Sequence, residues 1–79
     1  MKIVRLRNCK LCIYVHGEHP PPHFHIRGPD SNGWVVLATL ELLAGSISRT
    51  DLKEVRDWAS LPANMALLME TWRKLHERD

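Results

Sequence analysis

Apolar and polar side chains alternate over residues 3–7, with Val4 and Leu6 on one side and Arg5 and Arg7 on the other. That period of two predicts a half-buried strand. Residues 11–15 are rich in β-formers and predict a second strand ending at His16-Gly17-Glu18, and residues 23–27 predict a third, short one. Gly28-Pro29-Asp30-Ser31-Asn32-Gly33 is a dense turn cluster. The apolar run after it divides into strands over 34–38 and 42–47, with a tight turn around Leu40-Glu41. A short helix over 38–44, ended by Gly45, fits the same residues, but a lone helix of two turns is marginal in water.

From Ser48 the period lengthens to that of a helix. Ser48 is placed to cap free backbone amides, and Asp51 falls in the first turn, where the helix dipole favours a negative charge. Leu52, Val55, Trp58 and Ala59 form one stripe. Pro62 interrupts and restarts the helix, because proline is tolerated in a first turn and not in a helix interior. The second helix carries Met65, Leu68, Met69, Trp72 and Leu75 on its core face, and His76 is expected in solvent at the helix end. The expected fold is α+β: a small antiparallel sheet of four to five strands over residues 3–47, then two helices over 48–77 packed on one of its faces. Residues 1–79 form a single domain in this reading, with no repeat or linker to divide them.

A chain of 79 residues buries only about 60% of its unfolded surface, so its core is thin and a partner or an ion would add to it. The 44% apolar share and three tryptophans still predict a globular chain. No apolar run reaches the roughly 20 residues of a membrane span, and the charged start lacks the pattern of a secretory signal, so a cytoplasmic protein without a membrane is expected. The net charge of +2 is small but uneven: Lys2, Arg5, Arg7 and Lys10 all precede the first acidic residue, Glu18. Such a cluster can contact phosphate, yet charges on edge strands also deter aggregation, and no aromatic residues interleave with these in the sequence.

The chemistry concentrates in His19-Pro20-Pro21-Pro22-His23-Phe24-His25. Consecutive prolines make a stiff rod, and in the strand that follows His23 and His25 share one face while Phe24 and Ile26 take the other. A bend at His19 could return a third imidazole to that face. Three neutral imidazoles suit zinc or another divalent first-row metal with a position left for water. The same spacing also suits histidines that only line a sheet and bond to backbone, or a metal-free acid–base pair of His23 and His25. Cys9 and Cys12 form a C-x-x-C spacing that a metal knuckle with His23 and His25 could use; the alternative is two unrelated thiols at a turn.

Tyr14, the H-x-P-P-H-F-H block from His19 to His25, Leu40-Glu41 with Leu43 and Gly45, Val55 with Trp58-Ala59, and then Leu68 and Trp72 resemble one family over nearly the whole chain. It is the group of short bacterial proteins known as domain of unknown function number four thousand one hundred and sixty. The resemblance implies a cytoplasmic bacterial or archaeal protein encoded beside another small protein, in an arrangement similar to a toxin–antitoxin pair. The chain departs from the family pattern at Cys9 and Cys12, which lie outside its motif, and at Val36, where an acidic residue is common.

Two functions follow. The first is an interaction module of such a two-gene pair, binding a small partner protein or a second copy of itself through a sheet edge or helix face. The second is a nuclease-like hydrolase, with RNA among its candidate substrates, that uses His23 and His25 as acid and base or, with His19, as metal ligands, while Arg27, Arg5 and Arg7 grip phosphate. Nearby carboxylates to support such ligands are confined to Glu18 and Asp30. DNA reading by the two helices is disfavoured, because acidic and basic residues balance from Ser48 onward.

Overall fold

The computed structural model describes residues 1–14 and 21–76. Five strands, β1 (Lys2–Arg5), β2 (Lys10–Cys12), β3 (His23–Gly28), β4 (Ser31–Val36) and β5 (Leu42–Ile47), precede helices α1 (Arg49–Ala59) and α2 (Pro62–His76). Each strand pairs antiparallel with its sequence neighbour, so the sheet is a meander in the order β1-β2-β3-β4-β5. The α+β arrangement read from the sequence is the one observed.

Strand alternation divides the sheet into two faces. On the inner face Leu11 stands opposite Ile26 and Phe24 opposite Val35, and all four are fully buried. Val55 and Ala59 of α1 and Leu68 of α2 close over them, with Ile13 and Leu37 completing the core. Phe24 contributes the largest of these side chains, and burying a side chain of that size is worth about 1.5–3 kcal/mol.

The first four strands are displaced from their expected spans, each for a local reason. β1 stops at Arg5 because the Leu6 amide turns to the Cys9 carbonyl at 2.7 Å, which takes Arg7 out of the ladder. β2 ends at Cys12, although Ile13 still exchanges backbone hydrogen bonds with Met1. The turn between β3 and β4 is only Pro29-Asp30, with Gly28 paired to Ser31, so Asn32 and Gly33 belong to a strand and not to a loop. Gly33 is required there, since a Cβ would come within 2.7 Å of the Ala44 carbonyl oxygen. β4 ends at Val36, and a turn through Leu37 to Thr39 leads to Leu40 at φ 60°, whose amide bonds Val36 O at 2.7 Å. β5 occupies the expected residues.

The helices begin where the caps require. The Ser48 hydroxyl accepts from the Asp51 amide at 3.1 Å, and Pro62 opens α2. Two expectations on α2 are corrected. Met69 is 56% exposed, because the stripe through Met65, Leu68, Trp72 and Leu75 already fills the space under the helix. His76 is not simply solvated: its ring stacks on Trp72 at 3.9 Å, its Nδ1–H donates to the Trp72 carbonyl at 2.8 Å, and its Nε2 is buried. No helix among the described residues is long and apolar enough to cross a membrane.

Candidate functional site

The outer face of the sheet carries the chemistry. In an antiparallel sheet, directly opposed residues point to the same side, so each ladder rung is a row of side chains across the strands. One rung joins Arg5 to Lys10 and Lys10 to Arg27, then continues through Asn32 to Ser46. The rung two residues along sets Cys12 opposite His25, His25 opposite Trp34, and Trp34 opposite Ala44. A basic row therefore lies beside a row of rings.

The rings form a continuous plate. His23 stacks on Trp34 with centroids 4.9 Å apart and planes 14° from parallel, and His25 lies 5.5 Å from His23. Tyr14 meets His25 edge-on at 4.7 Å, and Trp72 reaches His23 from α2 at 5.1 Å. His23 Nδ1 lies 2.8 Å from the Pro21 carbonyl, which can only accept, so that nitrogen carries the proton. The Pro21 carbonyl thus fixes the tautomer. The two histidines share a face, as strand alternation requires, but they are covered: His23 is 2% exposed and His25 8%. Trp34, at 38%, is the most open ring of the plate, and Tyr14 is half-buried.

Arg27 joins the plate to the basic row. Its Nε–H donates to Tyr14 Oη at 3.1 Å, and its guanidinium carbon sits 5.7 Å from the Tyr14 centroid, within cation–π range. Arg5, Arg7, Lys10 and Arg27 line a cleft of about 340 Å³ floored by Cys9 and Gly28. Gly28 has no substitute there, because a Cβ would collide with the Asn8 carbonyl oxygen. The three arginines suggested by sequence as phosphate-gripping groups are brought together here, at one end of the sheet.

The cysteine knuckle does not form. Cys12 stands on the outer face opposite His25, whereas Cys9 packs into the core cluster, so the two thiols serve different layers. Both are free and buried. Among the described residues, the side chains close enough to share a cation are Cys9, Asp51 and Glu54, with ligand atoms within 4.8 Å of one another. Each carboxylate there already has a donor: Asp51 accepts from the Ser31 hydroxyl at 2.5 Å, and Glu54 accepts from the Arg7 amide at 3.3 Å. Burial first, and then the charges of Asp51 and Glu54, push the Cys9 thiol up to about 11, so it stays protonated near neutral pH. His19, the third imidazole of the suggested metal trio, lies outside the described residues.

Reading along the sequence misses Tyr14 and Trp34 as partners of the basic residues, because they are distant from them in the chain. The two-residue turn at Pro29-Asp30 is the signal that finds one of them: pairing Gly28 with Ser31 puts His25 opposite Trp34 by counting outward.

A family model matches residues 9–73. The chain belongs to the family described as a domain of unknown function, DUF4160. The match takes in the ring plate, Lys10 and Arg27, and leaves Arg5 and Arg7 outside it. No curated protein and no solved structure matches the chain.

Proposed function

We propose that this DUF4160 protein is an interaction module, one member of a two-gene bacterial pair of toxin–antitoxin type, and that β5 is the strand its protein partner extends. The carrying observation is the contrast between the sheet's two edges. β1 is guarded by Lys2 and Arg5, the usual protection of an edge. β5 reads Leu-Leu-Ala-Gly-Ser-Ile, has no charged residue, and leaves Leu42 41% and Leu43 45% exposed. Such an edge suits main-chain pairing with an added strand, with the leucines supplying apolar contact. The adjacent gene product is the partner in this reading, a second copy of the chain being the alternative.

The test is co-expression with the product of the neighbouring gene, followed by size-exclusion chromatography of the wild type and of Leu43→Lys. The wild type should co-elute with the partner, and the charged variant should elute alone with an unchanged thermal midpoint. A wild type that never co-elutes, or a variant that still does, contradicts the assignment.

One observation favours a second reading, a hydrolase of RNA using His23 and His25 with or without a divalent metal such as zinc. Arg27 links the basic cleft to His25 through Tyr14, so a phosphate held in the cleft would lie near an imidazole. The covering of both imidazoles weighs against it, because a general acid or base must reach the proton it transfers. RNA cleavage by the wild type that disappears in the folded His23→Ala/His25→Ala variant, with metal analysis of both, would favour that reading over the first.

A further inference from the structure

Three cations occupy one rung of the ladder. Arg5 is opposite Lys10, and Lys10 is opposite Arg27, a placement that costs stability because like charges directly opposed repel. Edge protection explains Arg5 on β1. It does not explain Lys10 or Arg27, which sit on β2 and β3 with a strand on either side. Among the described residues no carboxylate forms an ion pair with any of the three; the ion pairs observed are on the helices, Lys53 with Asp57 and Arg73 with Glu70. The positive charge is concentrated and, among the described residues, unneutralised by any carboxylate, which points to an anionic ligand.

The neighbouring rung says which kind. Trp34 is held from beneath by His23, stacked at 4.9 Å, and from the side by His25 at 5.0 Å, so the ring is fixed in position with one surface in solvent. Tyr14 is likewise held between His25 and Arg27. Fixed, partly exposed rings next to a strip of cations match a strand whose bases are unpaired: phosphates lie along the charges while bases stack on the rings. A duplex hides its base faces and would leave Trp34 unused. An acidic peptide would engage the cations but has no flat group for the tryptophan. The charged rung continues across β4 and β5 as Asn32 and Ser46, exposed side chains that both donate and accept, as the 2′-hydroxyl of a ribose requires.

We propose that the outer face of the sheet binds single-stranded RNA without cutting it, with the backbone phosphates on Arg5, Lys10 and Arg27 and a base stacked on Trp34. This assignment is independent of the edge-strand reading, because β5 can be extended in the sheet plane while the face stays open. It is also independent of hydrolysis, since it leaves His23 and His25 as supports for the tryptophan.

The experiment is fluorescence anisotropy of the full chain with a labelled oligouridylate, repeated over a salt series. The same-length deoxyuridylate strand, an RNA duplex and a polyglutamate peptide serve as competitors. Three phosphate contacts predict a slope of log K against log salt of about −2. Arg27→Gln should lower the affinity and make the slope shallower by about 0.7. Trp34→Ala should weaken binding roughly 5- to 150-fold with little change in slope, and Trp34→Phe should recover part of the loss. Lys53→Gln on α1 should bind as the wild type does, and thermal melts establish that each variant is folded.

No binding by the wild type at low salt overturns the proposal, as does equal competition by the duplex or the peptide. Deoxyuridylate competing as well as oligouridylate overturns the choice of RNA. Folded Arg27→Gln and Trp34→Ala variants that both bind normally would overturn the assignment to this face. If the RNA binds but disappears during the assay, with loss abolished in His23→Ala/His25→Ala, the non-cutting claim fails and the hydrolase reading stands.

Discussion

The two sides of β3 show how a single strand serves two purposes. Phe24 and Ile26 look inward, are fully buried, and hold the helices to the sheet. His23, His25 and Arg27 look outward from the same six residues, where the imidazoles are roofed by aromatic rings and the arginine is exposed. The inner side is apolar and filled, as a side that stabilises a fold must be. The outer side places like charges in a row and leaves a tryptophan partly open, both of which work against stability. A feature retained at the expense of stability is a feature to test for binding.

The two sides should respond in opposite ways to substitution. Phe24→Ala, on the inner side, should have the largest effect, lowering the free energy of unfolding in urea by about 3–5 kcal/mol, because it empties the centre of the core. A smaller loss, about 1–3 kcal/mol, is expected for Ser31→Ala, which takes the hydroxyl donor from the buried Asp51 carboxylate. Unchanged unfolding in either variant would contradict the stabilising role of the inner side.

The Cys9 thiol makes the stability of the inner side depend on pH. Its folded value is raised from 9.0 to about 11, so below 9 the buried neutral thiol is compatible with the fold, and ionisation favours the unfolded chain as pH climbs through the interval. The thermal midpoint of the wild type should fall over that range more steeply than that of Cys9→Ala, and parallel curves would contradict the placement of Cys9. On the outer side the effect should be smallest and reversed. Lys10→Gln relieves repulsion on both sides and should leave stability unchanged or raise it by up to about 0.5 kcal/mol, while RNA affinity falls.

Much of this architecture can be read directly from the chain. The shift from a period of two to a helical period at Ser48, the cap there, and the restart at Pro62 fix the helices, because each depends on residues close together in sequence. The shared face of His23 and His25 follows from alternation alone. The strand limits are less legible, since whether Arg7 or Asn32 joins a ladder depends on hydrogen bonds to another strand. The binding face is the least legible part. Arg5, Lys10, Arg27 and Trp34 become neighbours only through the register of three successive strand pairs, and the two-residue turn sets just the last of these, β3 with β4. The cysteine knuckle fails for a related reason: Cys9 precedes β2 and packs inward, while Cys12 pairs with His25 outside.

The most direct test of a working outer face is an amide and indole ¹H–¹⁵N spectrum of the labelled protein, titrated with oligouridylate. Shifts should concentrate on Arg5, Lys10, Tyr14, Arg27, Asn32 and the Trp34 indole, while Val55, Ala59 and Leu68 in the core stay fixed. A titration that moves α1 and α2 and leaves the Trp34 indole in place would contradict the assignment to the outer face.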